Sequence, residues 1–267
     1  MDRKFCISDF VYGKRSVRIT NKKEDLLDII KNERIYPVFQ PIVNLKTGEI
    51  LGFEGLSRII NPRKIDNVED LFVMGVLCGK TWELEKLCRK KIFRSYAKMS
   101  NGLGCEKLFI NVNPLVMQDE DFKANFTRKQ LKKRGIDTEK IVIEVTERNS
   151  ISNVDEFTAT VCHYKEEGYQ IAIDDLGSCY SGLNVVCDTH PHYLKIDMKL
   201  VRNISSDYMR QALIKGLVEL AANSDIRLIA EGIETEDELN TLLLLGVDYG
   251  QGYLLGRPSR DIEGYLK

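Results

Sequence analysis

The chain has 267 residues, of which 43% are hydrophobic and 30% are charged. Its length matches the roughly 250 residues typical of one α/β barrel, and its composition is that of a globular domain with a sizeable core. The formal net charge of -1 excludes the basic field by which proteins grip long nucleic acid.

The amino-terminal part divides into a polar stretch and the first strands. Residues 1–22 are polar and without clear period, which predicts an extension, or the remnant of a linker to a sensor module, ahead of a barrel domain at 23–267. A helix is predicted from Lys23 to Lys31. Strand-like alternation then covers Tyr36–Leu45, turns at 46–49 and continues as Ile50–Glu54, so the first strand is expected to run antiparallel to its neighbour.

Short apolar runs that end on a polar residue recur along the chain. Seven runs have this form: Ile50–Glu54, Leu108–Asn111, Ile141–Glu144, Gln170–Asp174/Asp175, Tyr193–Lys195, Arg227–Glu231 and Val247–Gln251. Helical periodicity fills most of the intervening segments: Val68–Met99, Glu120–Arg134, Val154–Gly168, Tyr208–Asn223 and Glu236–Gly246. This alternation predicts an α/β fold, a TIM-like (β/α)8 barrel whose strand-end loops meet on one face.

Capping residues mark several of the predicted helix ends. Asn153 is a candidate N-cap, and Thr235 with Glu238 three residues later has the pattern of a capping box. Gly168 and Gly246 lie where two helices should end, because glycine accepts the left-handed backbone that commonly follows a helix.

Acidic residues at the strand ends predict a metal site. Carboxylates gathered on one face of a barrel repel one another unless cations lie among them. Glu54, Asn111, Glu144 and Asp174 offer oxygen ligands from four strands, a set that suits Mg²⁺ or Mn²⁺ and not zinc. Any one of them is equally well explained as a cap of the next helix, but several coincident strand ends favour the metal.

Two further strand-end features concern Asp175 and Lys195. On a regular strand Asp174 and Asp175 would point to opposite faces, so both reach the site only where the chain begins to turn. Lys195 is predicted to aim its ammonium into the carboxylates, where it would orient water or neutralise charge on a phosphoryl group. A structural salt bridge is the alternative for Lys195, and the two roles are compatible.

The motif Phe53-Glu54-Gly55-Leu56-Ser57-Arg58 resembles the signature of the EAL domain, the cyclic di-GMP phosphodiesterase family. Further motifs occur in the family order: Gln40-Pro41-Ile42-Val43, Asn111-Val112-Asn113, Glu144-Val145-Thr146-Glu147, Asp174-Asp175-Leu176-Gly177, Lys195-Ile196-Asp197, Ala230-Glu231-Gly232-Ile233-Glu234 and Gln251-Gly252-Tyr253. The resemblance extends from Tyr36 to Pro258. It implies a barrel that hydrolyses cyclic di-GMP to the linear dinucleotide pGpG.

The resemblance also implies roles for individual residues. Six residues are expected to hold two Mg²⁺ or Mn²⁺ ions: Glu54, Asn111, Glu144, Asp174, Asp175 and Glu231. Glu231 and Lys195 would also act on the attacking water, as expected for two-metal phosphodiester hydrolysis. Glu234, named with them as a catalytic residue, is expected to position Lys195 or Gln251 from outside the ligand set.

Substrate contacts and dimer formation are implied by the same resemblance. The expected substrate contacts are Gln40, Leu56, Arg58 and Gln251. Glu147 is expected to steady the loop after Asp175, with a solvated acid at a helix start as the alternative. The family commonly pairs through the face near that loop, so we expect a homodimer.

Three departures from the family pattern leave the metal ligands intact. The loop after the aspartate pair is Leu176-Gly177-Ser178-Cys179-Tyr180-Ser181-Gly182 where the family has Phe-Gly-Thr-Gly-Tyr-Ser-Ser. Gly75-Val76 replaces an Ala-Glu pair, and Ile59 replaces a tryptophan. The altered loop keeps open a second function, a receptor that binds cyclic di-GMP without hydrolysing it. A barrel that acts on another phosphodiester, or uses Mg²⁺ for carbanion chemistry, rests on fold analogy alone.

Cysteine usage and hydropathy predict a cytoplasmic location. The seven cysteines are odd in number, without a C-x-x-C pair or zinc-ligand spacing, which predicts reduced core residues in a reducing compartment. No stretch reaches the about 20 apolar residues of a membrane span, and 1–10 lacks the apolar core of a signal peptide. We therefore expect no membrane contact by this chain.

Overall fold

The computed structural model describes residues 16–99, 106–146, 154–176 and 182–265. Eight strands form a closed barrel in sequence order, β1 to β8, which confirms the predicted fold. Their bounds are Ile35–Asn44 (β1), Ile50–Ile59 (β2), Lys107–Val112 (β3), Ile141–Thr146 (β4), Gln170–Leu176 (β5), Tyr193–Ile196 (β6), Arg227–Ala230 (β7) and Tyr249–Gly250 (β8). β1 runs antiparallel to β2, as the hairpin pattern predicted, and it is also antiparallel to β8, whereas the other neighbours are parallel.

Helices connect most of the strands. In the described residues they are Ser16–Lys31 (α1), Val68–Leu77 (α2), Thr81–Met99 (α3), Phe126–Lys132 (α4), Val154–Glu166 (α5), Gly182–Thr189 (α6), Met198–Val201 (α7), Tyr208–Ser224 (α8) and Glu236–Leu245 (α9). Short 3₁₀ helices lie at Pro114–Gln118, Thr138–Lys140, Ile204–Ser206 and Glu263–Tyr265. None of the described helices combines the length and the apolar character needed to cross a bilayer.

Several predicted helix bounds were wrong. The single helix predicted over Val68–Met99 is two helices, because Gly79 adopts a left-handed backbone with φ +63° and ends α2. The helix predicted over Glu120–Arg134 is confined to α4, since Asp119 ties the preceding segment into a turn through the N–H of Asp121. α1 begins at Ser16, seven residues before the predicted start, whereas the division of the chain at residue 22 stays a prediction.

The strand bounds differ mainly in the β1–β2 hairpin. β2 continues five residues past Glu54 to Ile59, because β1 pairs with it along its whole length, up to Ile35 opposite Ile59. β7 stops at Ala230, one residue before the predicted end, and β8 is reduced to Tyr249–Gly250. α6 and α7 were missed because eight and four residues are too few to show a helical period.

The predicted caps of α9 are confirmed. Thr235 accepts the N–H of Glu238, whose carboxylate accepts the N–H of Thr235 in return. Gly246 ends the helix with φ +92°, and Gly168 follows α5 with φ +85°. Asn153 lies outside the described residues.

Two apolar layers surround the strands. The interior of the barrel is filled by six buried side chains: Ile42, Phe109, Val142, Ala172, Tyr193 and Ile229. A larger cluster packs the outer strand faces against the helices, and it includes Leu108 and Leu194 from the strands and Phe157 from α5. The interior of the barrel is therefore a packed apolar core and not a pore.

Candidate active site

Polar side chains close the interior of the barrel at the carboxyl ends of its parallel strands. Each lies two residues after an interior apolar residue: Asn111 after Phe109, Glu144 after Val142, Asp174 after Ala172, Lys195 after Tyr193, Glu231 after Ile229 and Gln251 after Tyr249. Side chains alternate along a strand, so this spacing of two turns all six toward the same interior. Strand alternation therefore explains why groups far apart in sequence meet here.

Lys195 is the centre of the cluster. Its ammonium lies 2.6 Å from Oε1 of Glu231, 2.7 Å from Oε1 of Glu144, 3.4 Å from Oδ1 of Asp174 and 3.7 Å from Oε2 of Glu54. The side chain of Lys195 is only 1% exposed, so these charges interact in a medium of low dielectric. Both predicted roles of Lys195 are compatible with this position.

Amide side chains orient Glu54. Asn111 donates from Nδ2 to Oε1 of Glu54 at 2.7 Å, and Gln251 donates from Nε2 to Oε2 at 2.7 Å. Gln251 also donates to Oε1 of Gln40 at 3.0 Å, and Gln40 donates to the carbonyl of Gly256 at 3.0 Å. Gln40 and Gln251 are thus buried beneath Glu54, and their predicted contact with substrate stays a prediction.

A bulge in β5 brings both aspartates to the site. The register of β5 against β6 shifts between Ile173 and Leu176, and Asp175 has a left-handed backbone with φ +59°. The N–H of Asp175 donates to Oδ1 of Asp174 at 2.9 Å. Donor oxygens of Asp174, Asp175 and Glu231 lie within 4.8 Å of one another, a spacing that one cation can bridge. The bulge resolves the problem that adjacent strand residues face opposite sides.

Burial and crowding shift the pKa values of these groups in different directions. Burial opposes ionisation of Glu54, but the Lys195 ammonium and hydrogen bonds from two amide side chains outweigh it and lower its pKa. Burial and the charge of Glu54 raise the pKa of Glu144 well above its usual range. Burial raises the pKa of Glu231 to about 8, against the attraction of Lys195. Burial disfavours the Lys195 ammonium, yet the surrounding carboxylates prevail and raise its pKa well above the usual value.

The donor set fits a divalent cation that prefers oxygen. The clustered ligand atoms are carboxylate oxygens, which Mg²⁺ and Mn²⁺ prefer, and the side chain of Asn111 lies beside them on Glu54. Oε1 of Glu144 faces the Lys195 ammonium, whereas its Oε2 and the amide oxygen of Gln251 are buried without a hydrogen-bond partner among the described residues. Buried polar atoms left in this state are expected where an ion or water completes their coordination.

A cavity of about 610 Å³ opens beside the cluster. Its polar side includes Glu54, Asn111, Asp174 and Asp175, and the side chains of Leu56 and Arg58 line it as well. The opposite wall is apolar and comes mainly from α2, through Phe72, Val73 and Val76. The volume is that of a site for a drug-sized or nucleotide ligand.

Two predicted site residues are not confirmed by the geometry. Glu234 was expected beside Lys195 or Gln251, and this position is wrong: its half-exposed carboxylate pairs with Arg202 at 2.9 Å. Glu234 follows β7 by four residues and directly precedes Thr235, the N-cap of α9, so it lies beyond the strand end that carries Glu231. Glu147 lies outside the described residues.

A second charged group lies next to the site and was not predicted from the sequence. Glu85 and Arg89 on α3 are each 2% exposed, form an ion pair at 2.9 Å and line the cavity. Opposite charges four residues apart usually lie on the solvated face of a helix. Their place on the same face as Leu84, Cys88 and Ile92 was the signal that could have revealed them.

The EAL domain family model matches residues 23–258 of the chain. The probable cyclic di-GMP phosphodiesterase PdeG of Escherichia coli (strain K12) is 29% identical over 270 residues, covering 97% of this chain and 51% of that protein. The chain thus spans about half the length of this curated relative. The solved EAL enzyme Bd1971, in its cAMP- and cyclic-di-GMP-bound form, is 26% identical with a TM-score of 0.84, covering 95% of this chain and 69% of that one. A manganese and cyclic di-GMP complex of Klebsiella pneumoniae BlrP1 at pH 6 is 28% identical with a TM-score of 0.75, covering 85% of this chain and 56% of that one.

Proposed function

The chain belongs to the EAL domain family, and we propose that it is a metal-dependent phosphodiesterase that hydrolyses cyclic di-GMP to linear pGpG. The observation that carries this proposal is the convergence of four carboxyl groups on one buried ammonium at the mouth of the barrel. Relatives with this fold were solved with cyclic di-GMP bound, and one of those complexes holds manganese.

We propose that two Mg²⁺ or Mn²⁺ ions bind at the cluster. The residues that would hold them are Glu54, Asn111, Glu144, Asp174, Asp175 and Glu231. When bound, divalent cations supply a water that attacks at neutral pH and stabilise charge on the attacking and leaving oxygens. The excess of carboxylates over ammonium groups supports this ligand set.

The protein's own groups act on the water and on the phosphate. Hydrolysis adds one water: its oxygen bonds to phosphorus, the bond from phosphorus to a ribose O3′ breaks, and that oxygen leaves with a proton. Lys195, held by four carboxyl groups, would donate from Nζ to the water or to a phosphoryl oxygen. Asn111 and Gln251 keep Glu54 in one orientation, which preserves the geometry through the reaction.

We propose that the cavity beside the cluster holds the substrate. Arg58 lines it, and its planar guanidinium suits a phosphate or a base edge. Leu56 lies between Glu54 and Arg58 on β2, two residues from each, so all three side chains are on the same face of the strand. Gln40 and Gln251 would act from beneath, through the hydrogen bonds that orient Glu54.

Location and assembly are part of the same proposal. The described cysteines Cys78, Cys88, Cys162 and Cys187 are free thiols, which supports a reducing, cytoplasmic setting. A homodimer is proposed from the family resemblance. Light scattering coupled to size exclusion tests it, and a monomer at assay concentrations would contradict it.

The deciding experiment is a hydrolysis assay on the purified chain. Cyclic di-GMP is incubated with the protein and Mn²⁺, and the products are separated by chromatography. We expect pGpG to accumulate with Mn²⁺ or Mg²⁺ and not with EDTA. Tight binding of cyclic di-GMP without product would instead support the receptor.

A further inference from the structure

Glu85 and Arg89 form a rigid charged pair between the barrel and its outer helices. Oε2 of Glu85 lies 3.0 Å from Nε and 2.9 Å from Nη2 of Arg89. The same guanidinium donates from Nη1 to the hydroxyls of Thr127 at 2.9 Å and Tyr164 at 3.0 Å, and it lies over the rings of Trp82 and Tyr164. These contacts come from three helices, so the Glu85 carboxylate has little freedom to move.

The second oxygen of Glu85 reaches the end of β3. Oε1 accepts the backbone N–H of Asn113 at 2.9 Å. Pairing between β2 and β3 ends at Gly55 and Ile110, so the last residues of β3 have no pairing partner from β2. On the side of β3 that faces β2, the hydrogen bond from Asn113 to Glu85 therefore takes the place of strand pairing.

The segment held by Glu85 carries a residue of the proposed active site. Asn113 lies two residues after Asn111, whose side chain donates to Glu54 at 2.7 Å and faces the metal cluster. A metal ligand must be placed to within a fraction of an ångström, and groups that orient ligands affect affinity strongly. A shift of the backbone at Asn113 would therefore move the amide of Asn111.

We propose that Glu85 is a positioning residue for the metal site: held by Arg89, its carboxylate fixes the end of β3 and thereby the side chain of Asn111. This inference rests on the proposed function, because it assumes that Asn111 serves a metal. The competing explanation is that the ion pair only packs between the helices. In that case metal affinity would not depend on whether residue 85 can accept the N–H of Asn113, whereas the positioning role predicts that it does.

The test compares two double variants that both lack the ion pair. Glu85→Gln/Arg89→Met keeps an acceptor for the N–H of Asn113, whereas Glu85→Met/Arg89→Met has a side chain of similar length without one. Removing both charges of a buried pair avoids leaving one of them unpaired. We expect the Met/Met variant to bind Mn²⁺ about tenfold more weakly than the Gln/Met variant, by electron paramagnetic resonance, and to show a similarly lower kcat with an unchanged KM.

Each outcome decides the proposal. Equal Mn²⁺ affinity in the two folded variants would overturn it, and so would a Met/Met variant that fails to fold while the Gln/Met variant folds, since the hydrogen bond would then serve folding. If the Arg89→Met background itself does not fold, the same comparison is made with Arg89→Gln, which is uncharged and keeps an N–H donor for the hydroxyls of Thr127 and Tyr164. The Mn²⁺ measurement does not need turnover, so an inactive wild type would defeat the phosphodiesterase and leave this comparison valid.

Discussion

Two groups of buried charges lie close together in this molecule and differ in charge balance. At the barrel mouth one ammonium, Lys195, faces four carboxyl groups. Behind β3 one guanidinium, Arg89, faces one carboxylate, Glu85, and two hydroxyls. Lys195 is 1% exposed and Arg89 is 2% exposed, so burial does not distinguish the two groups.

The difference teaches how a functional cluster can be recognised. A one-to-one pair with neutral partners satisfies its own charges and needs nothing more from outside. A cluster with excess acid can ionise fully only when cations are added, and without them some of its carboxyl groups keep their protons to higher pH. Burial first, and then the charges of neighbouring acids, raise the pKa values of Glu144 and Glu231.

The largest expected effect is the loss of hydrolysis when the unbalanced cluster loses a ligand. Glu54→Ala and Asp174→Asn should each lower the rate by about a thousandfold or more with the circular dichroism spectrum unchanged, because each removes an oxygen that holds a cation. Chromatography of pGpG measures the rate. Glu33→Gln, which removes a partly exposed acid just before β1, is the control and should leave the rate unchanged. Retained hydrolysis in both variants would contradict the assignment.

Replacing the basic side chain of each group should give two variants that respond differently to Mn²⁺. Lys195→Met and Arg89→Met both leave buried carboxylates unpaired, which should lower the free energy of unfolding of the metal-free protein by about 3–5 kcal/mol. Mn²⁺ should restore much of the loss in Lys195→Met and none in Arg89→Met, since ions can replace Lys195 among its acids. Urea unfolding with EDTA and with Mn²⁺ measures this. Equal rescue of both variants would break the distinction.

Adding metal to the wild type should stabilise it measurably. At a Mn²⁺ concentration of about 100 times the Kd, the gain is about 2.7 kcal/mol. For a chain of this size that gain raises Tm by about 5–10 °C. The Asp174→Asn variant should show a smaller rise, and thermal scans with and without EDTA check both. An unchanged wild-type Tm at saturating Mn²⁺ would argue against a metal cluster.

A smaller effect is the pH dependence of the metal-free protein. Burial raises the pKa of Glu231 from 4.5 to about 8 in the folded state, amid Glu54, Asp174 and Lys195. A raised carboxyl pKa means that the folded state binds the proton more tightly, so this stabilisation is present below pH 4.5 and is lost as the pH rises to about 8.

Urea midpoints of the metal-free protein should therefore fall across this window. Saturating Mn²⁺ should flatten the dependence, because bound cations keep the acids ionised. A metal-free midpoint that rises between about pH 5 and 8 would show that other groups dominate the titration.

Most of the fold and much of the cluster were predictable from local pattern. The runs that end at Asn111, Glu144 and Lys195 were identified because apolar strands stop on polar residues at regular intervals. The break at Gly79 was not predictable, because the apolar stripe continues across it. The partner of Glu234 was also missed, since Arg202 is distant in sequence and reaches it only because the segment after α7 packs against α9.

The sequence by itself determined which residues face the barrel interior. Side-chain alternation has a period of two that belongs to each strand alone, so it survives any error in the helices. Only the tertiary structure decided which four acids Lys195 contacts, that the register of β5 shifts at the aspartate pair, and that Glu85 holds Asn113. Those contacts join residues from different elements, and their distances are set by barrel closure and helix packing, which no local period encodes.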